Sequence, residues 1–336
     1  MVTIKDVAKA AGVTTGTVSK VLHGYTTLTA ETIERVKRAI VELNYQPNMM
    51  AQSMRTKKSN TIGIVVPDMR HPFFIELYVE LQHILSKRGY ACFATSSQTS
   101  EEKEIKSLKS LLVRQVDGII FSSVGWDEKT TSEILEISEK VPLVSLNRIF
   151  SKTSIRSVNV DYFSGVVKAM KHLQALGHTR IAFISGHIGS PAGDDRMRAY
   201  LAFYKQTGLE RREDWVAAGN MDVKSGYYAM KEIMKAPIRP TAIVAGNDAM
   251  AIGASWYLRE QKIRIPDDVA MVGFDDVEWA MISDPPLTTL RVQRDVIARH
   301  AAEMLAGENK TQNVLIEPEL IVRHSTDPTV EVSFNW

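Results

Sequence analysis

The chain has 336 residues, 44% of them hydrophobic, and is therefore long enough for two or three domains with a substantial buried core. Its one cysteine, Cys92, excludes an internal disulfide and a metal site built on paired cysteines, and no apolar run approaches the roughly 20 residues that span a bilayer. The net charge is only +2, but residues 1–60 carry nine Lys and Arg against four Asp and Glu, which predicts an anionic partner for that segment.

Three short helices are predicted in this basic segment. Thr3 can cap the first helix, with Asp6 at capping-box spacing, and Gly12 permits the positive φ of the following turn. Thr14 can cap a second helix and Thr29 a third. Ten apolar side chains are predicted to face inward: Val7, Ala8, Ala11, Val18, Val21, Leu22, Ile33, Val36, Ile40 and Leu43. Two helices that cross closely at a glycine are typical of a DNA-binding helix-turn-helix, although a three-helix domain with a solvated basic face fits the same pattern.

From residue 61 onwards, short β-branched runs alternate with helical patterns. Nine runs are typical of buried strands, at 61–67, 91–97, 117–123, 142–148, 157–161, 180–186, 241–248, 269–276 and 287–292. Helical patterns lie between them, at 72–88, 101–114, 163–176, 195–207, 224–235 and 248–262. This alternation predicts an α/β fold with parallel sheets built from βαβ units, but periodicity leaves open one large sheet or two smaller ones.

Hydrogen-bonding and aromatic side chains follow the predicted strands, at the end where open α/β sheets bind ligands. They suit a polyhydroxylated ligand, because carboxylates accept from hydroxyls, guanidiniums donate to oxygens and aromatic rings cover the apolar face of a sugar. Structural alternatives remain open. Phe73 and Phe74 fit helix-start packing, Arg148 fits an ion pair, and Asp248 and Asp276 fit helix caps.

Motifs in register along nearly the whole chain resemble the LacI/GalR family of bacterial transcription regulators. They start with "TIKDVAKAAGVTTGTVSKVLHG" and "YQPNMMAQSMRTKKSNTIGIVVPD" and continue with "HPFF", "LGHTRIAFISG", "GNDAMAIGA", "VGFDD" and "PPLTTL". The resemblance implies three parts: a helix-turn-helix domain at 1–48, a hinge helix or linker at 49–60, and a type I periplasmic-binding-protein-like core at 61–336. That core would consist of two doubly wound parallel-sheet subdomains, at about 61–161 with 293–322 and about 162–292 with 323–336. Three crossovers near residues 161, 292 and 323 would join them.

The resemblance also implies which residues contact DNA. Thr15, Gly16 and Lys20 occupy base-contacting positions, and Met54 occupies that of a leucine wedged into the minor groove. The expected DNA-binding set is Thr3, Thr14, Thr15, Gly16, Thr17, Ser19, Lys20, His23, Asn48, Ala51, Met54, Arg55 and Lys57. Lys20 stands where Arg is commoner, so the family's operator consensus is not carried over. His23 could contact a phosphate or could be a surface residue without a role. The hinge segment could instead be a flexible linker.

For the core, the resemblance implies an effector pocket. The expected effector-binding set is Phe73, Phe74, Asn147, Arg148, Arg196, Met221, Asn247, Asp275 and Gln293. Asn147 stands where sugar-binding relatives often have Asp, His71 replaces a frequent Asn, and Met221 stands where an aromatic often closes the pocket. A sugar is therefore expected without its identity, and a nucleobase effector or a phosphoprotein corepressor remains as an alternative.

An enzyme is disfavoured, because the sequence lacks dinucleotide-binding, P-loop, nucleophile-elbow and H-E-x-x-H motifs. Ser185, His187 and Asp194 share one loop, whereas the members of a catalytic triad come from separate elements. We therefore expect no cofactor, no metal and no membrane partner. The expected function is a cytoplasmic repressor of carbohydrate-utilisation genes that binds a palindromic operator as a homodimer under effector control. A cytosolic sugar-binding module without operator specificity is the alternative of another class.

Overall fold

The computed structural model describes residues 2–22, 28–46, 58–124, 127–186 and 190–332. The chain divides into two compact units, one ending at Ser59 and one beginning at Asn60. None of the helices in the described ranges combines the length and the apolar character needed to cross a membrane.

The N-terminal unit contains three described helices: α1 (Ile4–Ala11), α2 (Thr15–Leu22) and α3 (Ala30–Glu42). The predicted caps of α2 and α3 are confirmed, because the hydroxyls of Thr14 and Thr29 accept hydrogen bonds from the backbone N–H groups of Thr17 and Thr32 at 3.2 and 3.3 Å. Gly12 has the expected positive φ, 62°, at the turn between α1 and α2.

The core of this unit is smaller than the sequence pattern predicts. It is formed by Val7, Ala8, Ala11, Val18, Val36 and Ala39, with Val21, Ile40 and Leu43 packed against it. Leu22, predicted to face inward, is 36% exposed, and Ile33 is only half-buried. Leu22 is the last residue of α2, where the helix ends. Because α1 and α2 are about 12 Å long and α3 about 20 Å, neither short helix spans the whole of α3, on which Ile33 lies.

The larger unit alternates strands and helices. Its described strands are β1 (Thr61–Val66), β2 (Ala91–Ser96), β3 (Gly118–Ser122), β4 (Leu143–Leu146), β5 (Arg156–Val160), β6 (Ile181–Ser185), β7 (Val216–Ala218), β8 (Ala242–Ala245), β9 (Ala270–Asp275), β10 (Thr288–Arg291), β11 (Asn313–Ile316) and β12 (Glu319–Ile321). Its described helices are α4 (Pro72–Lys87), α5 (Glu101–Val113), α6 (Glu128–Ser138), α7 (Tyr162–Ala175), α8 (Pro191–Thr207), α9 (Val223–Ile233), α10 (Asp248–Glu260), α11 (Glu278–Ile282) and α12 (Arg294–Leu305).

These strands form two sheets of six, which answers the question that periodicity left open. The first sheet has the order β11-β5-β4-β3-β1-β2 and is parallel throughout. The second has the order β12-β10-β9-β8-β6-β7 and is parallel except at β12, which runs antiparallel to β10. The nearly continuous burial of β3, β6, β8 and β9 fits strands covered by helices on both faces.

Helices cover each sheet closely. In the first sheet, α4 and α12 share one apolar core with the strands, while α5 and α6 pack on the opposite face. On the second sheet, α9 and α10 pack against each other at glycines. A Cβ at Gly253 would lie 1.9 Å from the carbonyl oxygen of Val223, so only glycine permits this approach.

One sequence prediction is corrected by this topology, and several short elements are added to those predicted. The third crossover lies between Ile316 and Glu319, not near residue 323, since β12 already belongs to the second sheet. The strands β7, β11 and β12 and the helices α6 and α12 were not among the predicted elements, whereas α11 follows Asp276, where a capped helix was expected. The three strands have only three or four residues and are largely exposed edge strands, so they lack the continuous apolar runs that mark the inner strands.

Candidate functional site

In the N-terminal unit, the N-terminal end of α2 is exposed. Thr14, Thr15 and Gly16 are exposed there, and Lys20 is exposed one turn further along the helix. Thr17 is half-buried, with its hydroxyl oxygen 3.1 Å from that of Thr14. A helix that presents small polar side chains and a cation in its first turns has the surface needed for close approach to DNA.

The other predicted DNA contacts are described only in part. The exposed Thr3 donates from its hydroxyl and from its backbone N–H to the carboxylate of Asp6, at 2.7 and 2.8 Å. Ser19 is half-buried. The remaining predicted contacts lie outside the described residues: His23, Asn48, Ala51, Met54, Arg55 and Lys57.

In the larger unit, residues that follow strands of both sheets come together. His71 immediately precedes α4 beside the first sheet, and its Nε2 lies 2.6 Å from Nδ2 of Asn247 and 4.0 Å from Oδ2 of Asp275. Asn247 caps α10 by accepting the backbone N–H of Met250 at 2.9 Å, and it donates to the carbonyl of Met221 at 3.0 Å. His71 therefore connects the first sheet to two residues at strand ends of the second.

Asp275 ends β9 with a φ of 114°, a conformation that side-chain-bearing residues rarely adopt. The guanidinium of Arg294 holds this turn by donating to the backbone carbonyl of Asp275 at 2.8 Å. Burial raises the pKa of the Asp275 carboxyl to about 7, although the guanidiniums of Arg196 and Arg294 act in the opposite direction. Near neutral pH this carboxyl can therefore either donate or accept a hydrogen bond.

Arg196, on α8, is only 4% exposed and lies between two aromatic rings. Its guanidinium carbon is 4.0 Å from the ring centroid of Tyr162 and 4.8 Å from that of Phe274. One terminal nitrogen donates to the carbonyl of Ala192 at 3.3 Å. These cation–π contacts fix the plane of the guanidinium, so its remaining N–H donors have a defined orientation for another molecule.

Three buried polar atoms of this region have no hydrogen-bond partner within the described ranges: Nδ1 of His71, Nε of Arg196 and Oε1 of Gln293. A buried polar atom without a partner costs about 1–3 kcal/mol, and native proteins contain few of them. Gln293 precedes Arg294, which holds the Asp275 turn, and Arg196 shifts the pKa of both His71 and Asp275. We call His71, Arg196, Asn247, Asp275 and Gln293 the cleft cluster.

The remaining predicted effector residues lie in different surroundings. Phe73 is buried in the apolar core, which fits the packing interpretation, whereas the half-buried Phe74 has its ring centroid 5.6 Å from that of His71. Asn147 accepts the backbone N–H of Val160 at 3.3 Å and so ties β4 to β5. Met221 is half-buried and contacts the cleft cluster through its backbone carbonyl.

No described contact joins Arg148 to the cleft cluster. Its guanidinium donates to the hydroxyls of Thr131 at 2.5 Å and Ser123 at 3.3 Å, and its carbon lies 4.3 Å from the ring centroid of Phe150. These partners belong to the first sheet and α6. Asn147 lies just beyond β4 with a φ of 63°, so the chain turns there and the side chains of Asn147 and Arg148 find different partners.

Asp248 and Asp276 are structural, but neither is a helix cap. The buried Asp248 accepts the Thr289 hydroxyl at 2.5 Å and the Val277 backbone N–H at 3.0 Å, and burial raises its pKa. Asp276 forms 2.6 Å ion pairs with Arg291 and Arg323. Together these carboxyls fix the segment that follows Asp275.

Several residues around the cleft cluster were not predicted from the sequence. They are Tyr162 and Phe274, which hold Arg196, and Arg294, whose guanidinium lies 2.9 Å from the carboxylate of Glu76. A signal for two of them was present, because Tyr162 directly follows the first predicted crossover and Arg294 lies two residues after the second, near residue 292. In the described part of the chain, no three His, Cys, Asp or Glu side chains are grouped so that they could hold a metal ion.

Comparisons with known proteins match both units. A family model described as "Bacterial regulatory proteins, lacI family" matches residues 3–48, and one described as "Periplasmic binding protein-like domain" matches residues 170–326. The transcriptional repressor PurR of Pasteurella multocida (strain Pm70) is 31% identical over 330 residues, covering 97% of this chain and 98% of PurR. The ribose operon repressor of Escherichia coli (strain K12) is 31% identical over 305 residues, covering 91% of this chain and 92% of the repressor. The crystal structure of the Lac repressor dimer bound to operator and the anti-inducer ONPF has a TM-score of 0.86 and 26% identity, covering 97% of this chain and 99% of that one.

Proposed function

The chain belongs to the LacI family of bacterial DNA-binding transcriptional regulators, and from this premise we propose that it is a cytoplasmic repressor of carbohydrate-utilisation genes. It binds an inverted-repeat operator as a homodimer. A sugar that binds at the cleft cluster controls this binding.

The observation that carries the proposal is the set of unpartnered buried atoms in the cleft cluster. His71 and Arg196 offer nitrogens, Gln293 offers a carbonyl oxygen, and Asp275 offers a carboxyl whose pKa is close to neutrality. A hydroxyl group both donates and accepts hydrogen bonds, so a molecule with several hydroxyls can pair with donors and acceptors of both kinds. The ribose operon repressor supports a sugar as the effector class, because that relative is named for a sugar operon.

The proposed DNA site is the exposed N-terminal end of α2. One helix-turn-helix unit reads few base pairs, so two units on a palindrome are needed for useful specificity. Lys20 supplies a cation on this surface, while Thr15 and Gly16 are small enough for close approach to base edges. The Lac repressor, a dimer on its operator, supports the same assembly here.

Coupling between ligand and DNA follows from the position of the cleft cluster. His71 belongs to an element beside the first sheet, whereas Asn247, Asp275 and Arg196 belong to elements of the second. A ligand that contacts both His71 and the residues of the second sheet favours the arrangement in which the two sheets' residues are close together. The ligand can change DNA affinity only by as much as its own affinities for the close and the separated arrangement differ.

The proposal is tested with full-length protein in a thermal-shift screen against D-ribose, D-glucose and cellobiose, followed by operator binding with each sugar that binds. We expect at least one sugar to raise the Tm of the wild type and to change its operator affinity. Sugar binding without any effect on DNA affinity would favour the alternative of a sugar-binding module. A failure of every sugar would contradict the proposed effector class.

A further inference from the structure

The hydrogen bonds of Asn247 determine which ring nitrogen of His71 carries the proton. Oδ1 of Asn247 accepts the backbone N–H of Met250, so its other terminal atom is the donating Nδ2. That Nδ2 donates to the carbonyl of Met221 and faces Nε2 of His71 at 2.6 Å. An amide N–H requires an acceptor, so Nε2 of His71 is unprotonated and the proton of the neutral ring lies on Nδ1.

The consequence is an N–H donor with nothing to receive it. Nδ1 of His71 is buried and has no partner in the described ranges. The side chain as a whole is only 12% exposed, and burial lowers the pKa of His71 to about 4, which keeps the ring neutral at physiological pH. This buried donor, on a ring whose Nε2 lies 4.0 Å from Oδ2 of Asp275, is therefore available for an acceptor atom of a bound molecule.

The charges of the site determine which acceptor fits. Arg294 is paired with Glu76, and Asp276 is paired with Arg291 and Arg323. Within the cleft cluster, burial raises the pKa of Asp275 while the charge of Arg196 acts to lower it, and the neutral His71 adds no positive charge. Where the Asp275 carboxyl is ionised, it balances Arg196 and a phosphate group meets no surplus of cations, whereas a hydroxyl or carbonyl oxygen needs none.

We propose that His71 is a ligand-binding, specificity-determining residue, which donates a hydrogen bond from Nδ1 to an oxygen of an uncharged effector. The inference rests on the proposed effector site and adds a residue and a charge class to it. His71 also contacts Asn247 of the second sheet, so a ligand bound to His71 would affect the contact between elements of the two sheets.

The first test needs no ligand. Full-length protein labelled with ¹⁵N-histidine is examined by two-bond ¹H–¹⁵N correlation at pH 7, and the His71→Asn variant assigns the signal. We expect the neutral form of His71 with its proton on Nδ1. A proton on Nε2, or a doubly protonated ring, would overturn the inference.

The second test measures binding of D-ribose, D-glucose and cellobiose, of D-ribose 5-phosphate and D-glucose 6-phosphate, and of guanine and hypoxanthine to full-length protein. Loss of one hydrogen bond to a buried donor predicts that His71→Phe raises the Kd of an uncharged ligand about tenfold. The control is His83→Asn, since His83 is exposed on the same helix α4, and its Kd should stay within twofold of the wild type.

The outcomes separate this inference from the proposed function. An unchanged Kd in His71→Phe, or a phosphate ester that binds more tightly than its parent sugar, would overturn the inference while leaving a sugar-type effector in place. Binding of guanine or hypoxanthine that is weakened by His71→Phe would support the inference and contradict the sugar. If none of the seven compounds binds, the proposed sugar effector fails. The inference about His71 is then decided by the first test alone, which locates the proton on its ring.

Discussion

Two groups of buried polar residues lie at the same end of the second sheet, and they differ in how completely their atoms are paired. In the paired group, Asp276 holds Arg323 and Arg291, and Asp248 accepts from Thr289 and a backbone N–H. In the cleft cluster, by contrast, Arg196, His71 and Gln293 each bury an atom without a described partner. Complete pairing stabilises the fold, whereas incomplete pairing leaves binding capacity for a ligand.

The largest expected effect is on the paired group. Asp276→Ala leaves Arg323 buried without its carboxylate, which costs about 3–5 kcal/mol for a broken buried ion pair. The apparent free energy of unfolding, measured by urea denaturation, should fall by that amount. Asp276→Asn is the matched control, because it keeps the shape and one acceptor oxygen, and it should lose less. A loss below about 1 kcal/mol in Asp276→Ala would remove the distinction between the two groups.

In the cleft cluster, the loss should instead appear in ligand binding. Arg196→Met keeps much of the apolar contact with Tyr162 and Phe274 but removes the charged donors. We expect sugar binding to weaken by about 2–3 kcal/mol, roughly 30- to 150-fold. Calorimetric titration measures the Kd, and urea denaturation should show a small change in stability. A large loss of stability with an unchanged Kd would mean that Arg196 stabilises the fold, like the paired group, and does not bind the ligand.

A pH series tests the raised pKa of Asp275. Because the pKa of Asp275 is raised to about 7, its neutral form stabilises the native state below pH 4, and this stability is lost as pH rises towards 7. Asp275→Asn cannot ionise, so its stability relative to the wild type should increase between pH 5 and pH 8 by on the order of 2 kcal/mol. Urea denaturation at both values measures the difference. An equal difference at pH 5 and pH 8 would show that Asp275 is ionised throughout.

The smallest effect concerns the N-terminal unit, which should respond independently of both groups. Lys20→Ala should weaken operator binding by about 1.4 kcal/mol, or tenfold, and should leave sugar binding and stability unchanged. Lys58→Ala should instead weaken binding to every DNA sequence and reduce its salt dependence. Fluorescence anisotropy on operator and unrelated DNA at several salt concentrations distinguishes these results. Equal losses on both DNAs for Lys20→Ala would make Lys20 a phosphate contact.

Much of the architecture could be predicted from the sequence, because it follows from local chemistry. Threonine caps, a glycine turn and continuous apolar runs located α2, α3 and the inner strands. Strand ends also predicted that Asn247 and Asp275 lie close together, and both approach Nε2 of His71, at 2.6 and 4.0 Å. By contrast, short exposed edge strands carry no continuous apolar pattern, and the third crossover was misplaced for that reason.

Side-chain direction was the main obstacle in predicting the site. Asn147 and Arg148 are neighbours just beyond β4, but the positive φ of Asn147 turns the chain there, and their side chains have different partners. The aromatic support of Arg196 comes from Tyr162 and Phe274, which are 112 residues apart (274 − 162), and no sequence spacing indicates that pair. The role of His71 depends on the orientation of the Asn247 amide, which is determined only by the folded backbone.

The account depends most on control of DNA binding by a ligand of the cleft cluster. The direct measurement selects the preferred duplex from random DNA with full-length protein, and then determines its Kd with and without D-ribose, D-glucose and cellobiose. The account predicts an inverted-repeat sequence and a change in Kd of at least tenfold with one of these sugars. Asp275→Ala should bind the same duplex within a few-fold of the wild type and no longer respond to the sugar. A sequence without two-fold symmetry, or a sugar response that persists in Asp275→Ala, would contradict it.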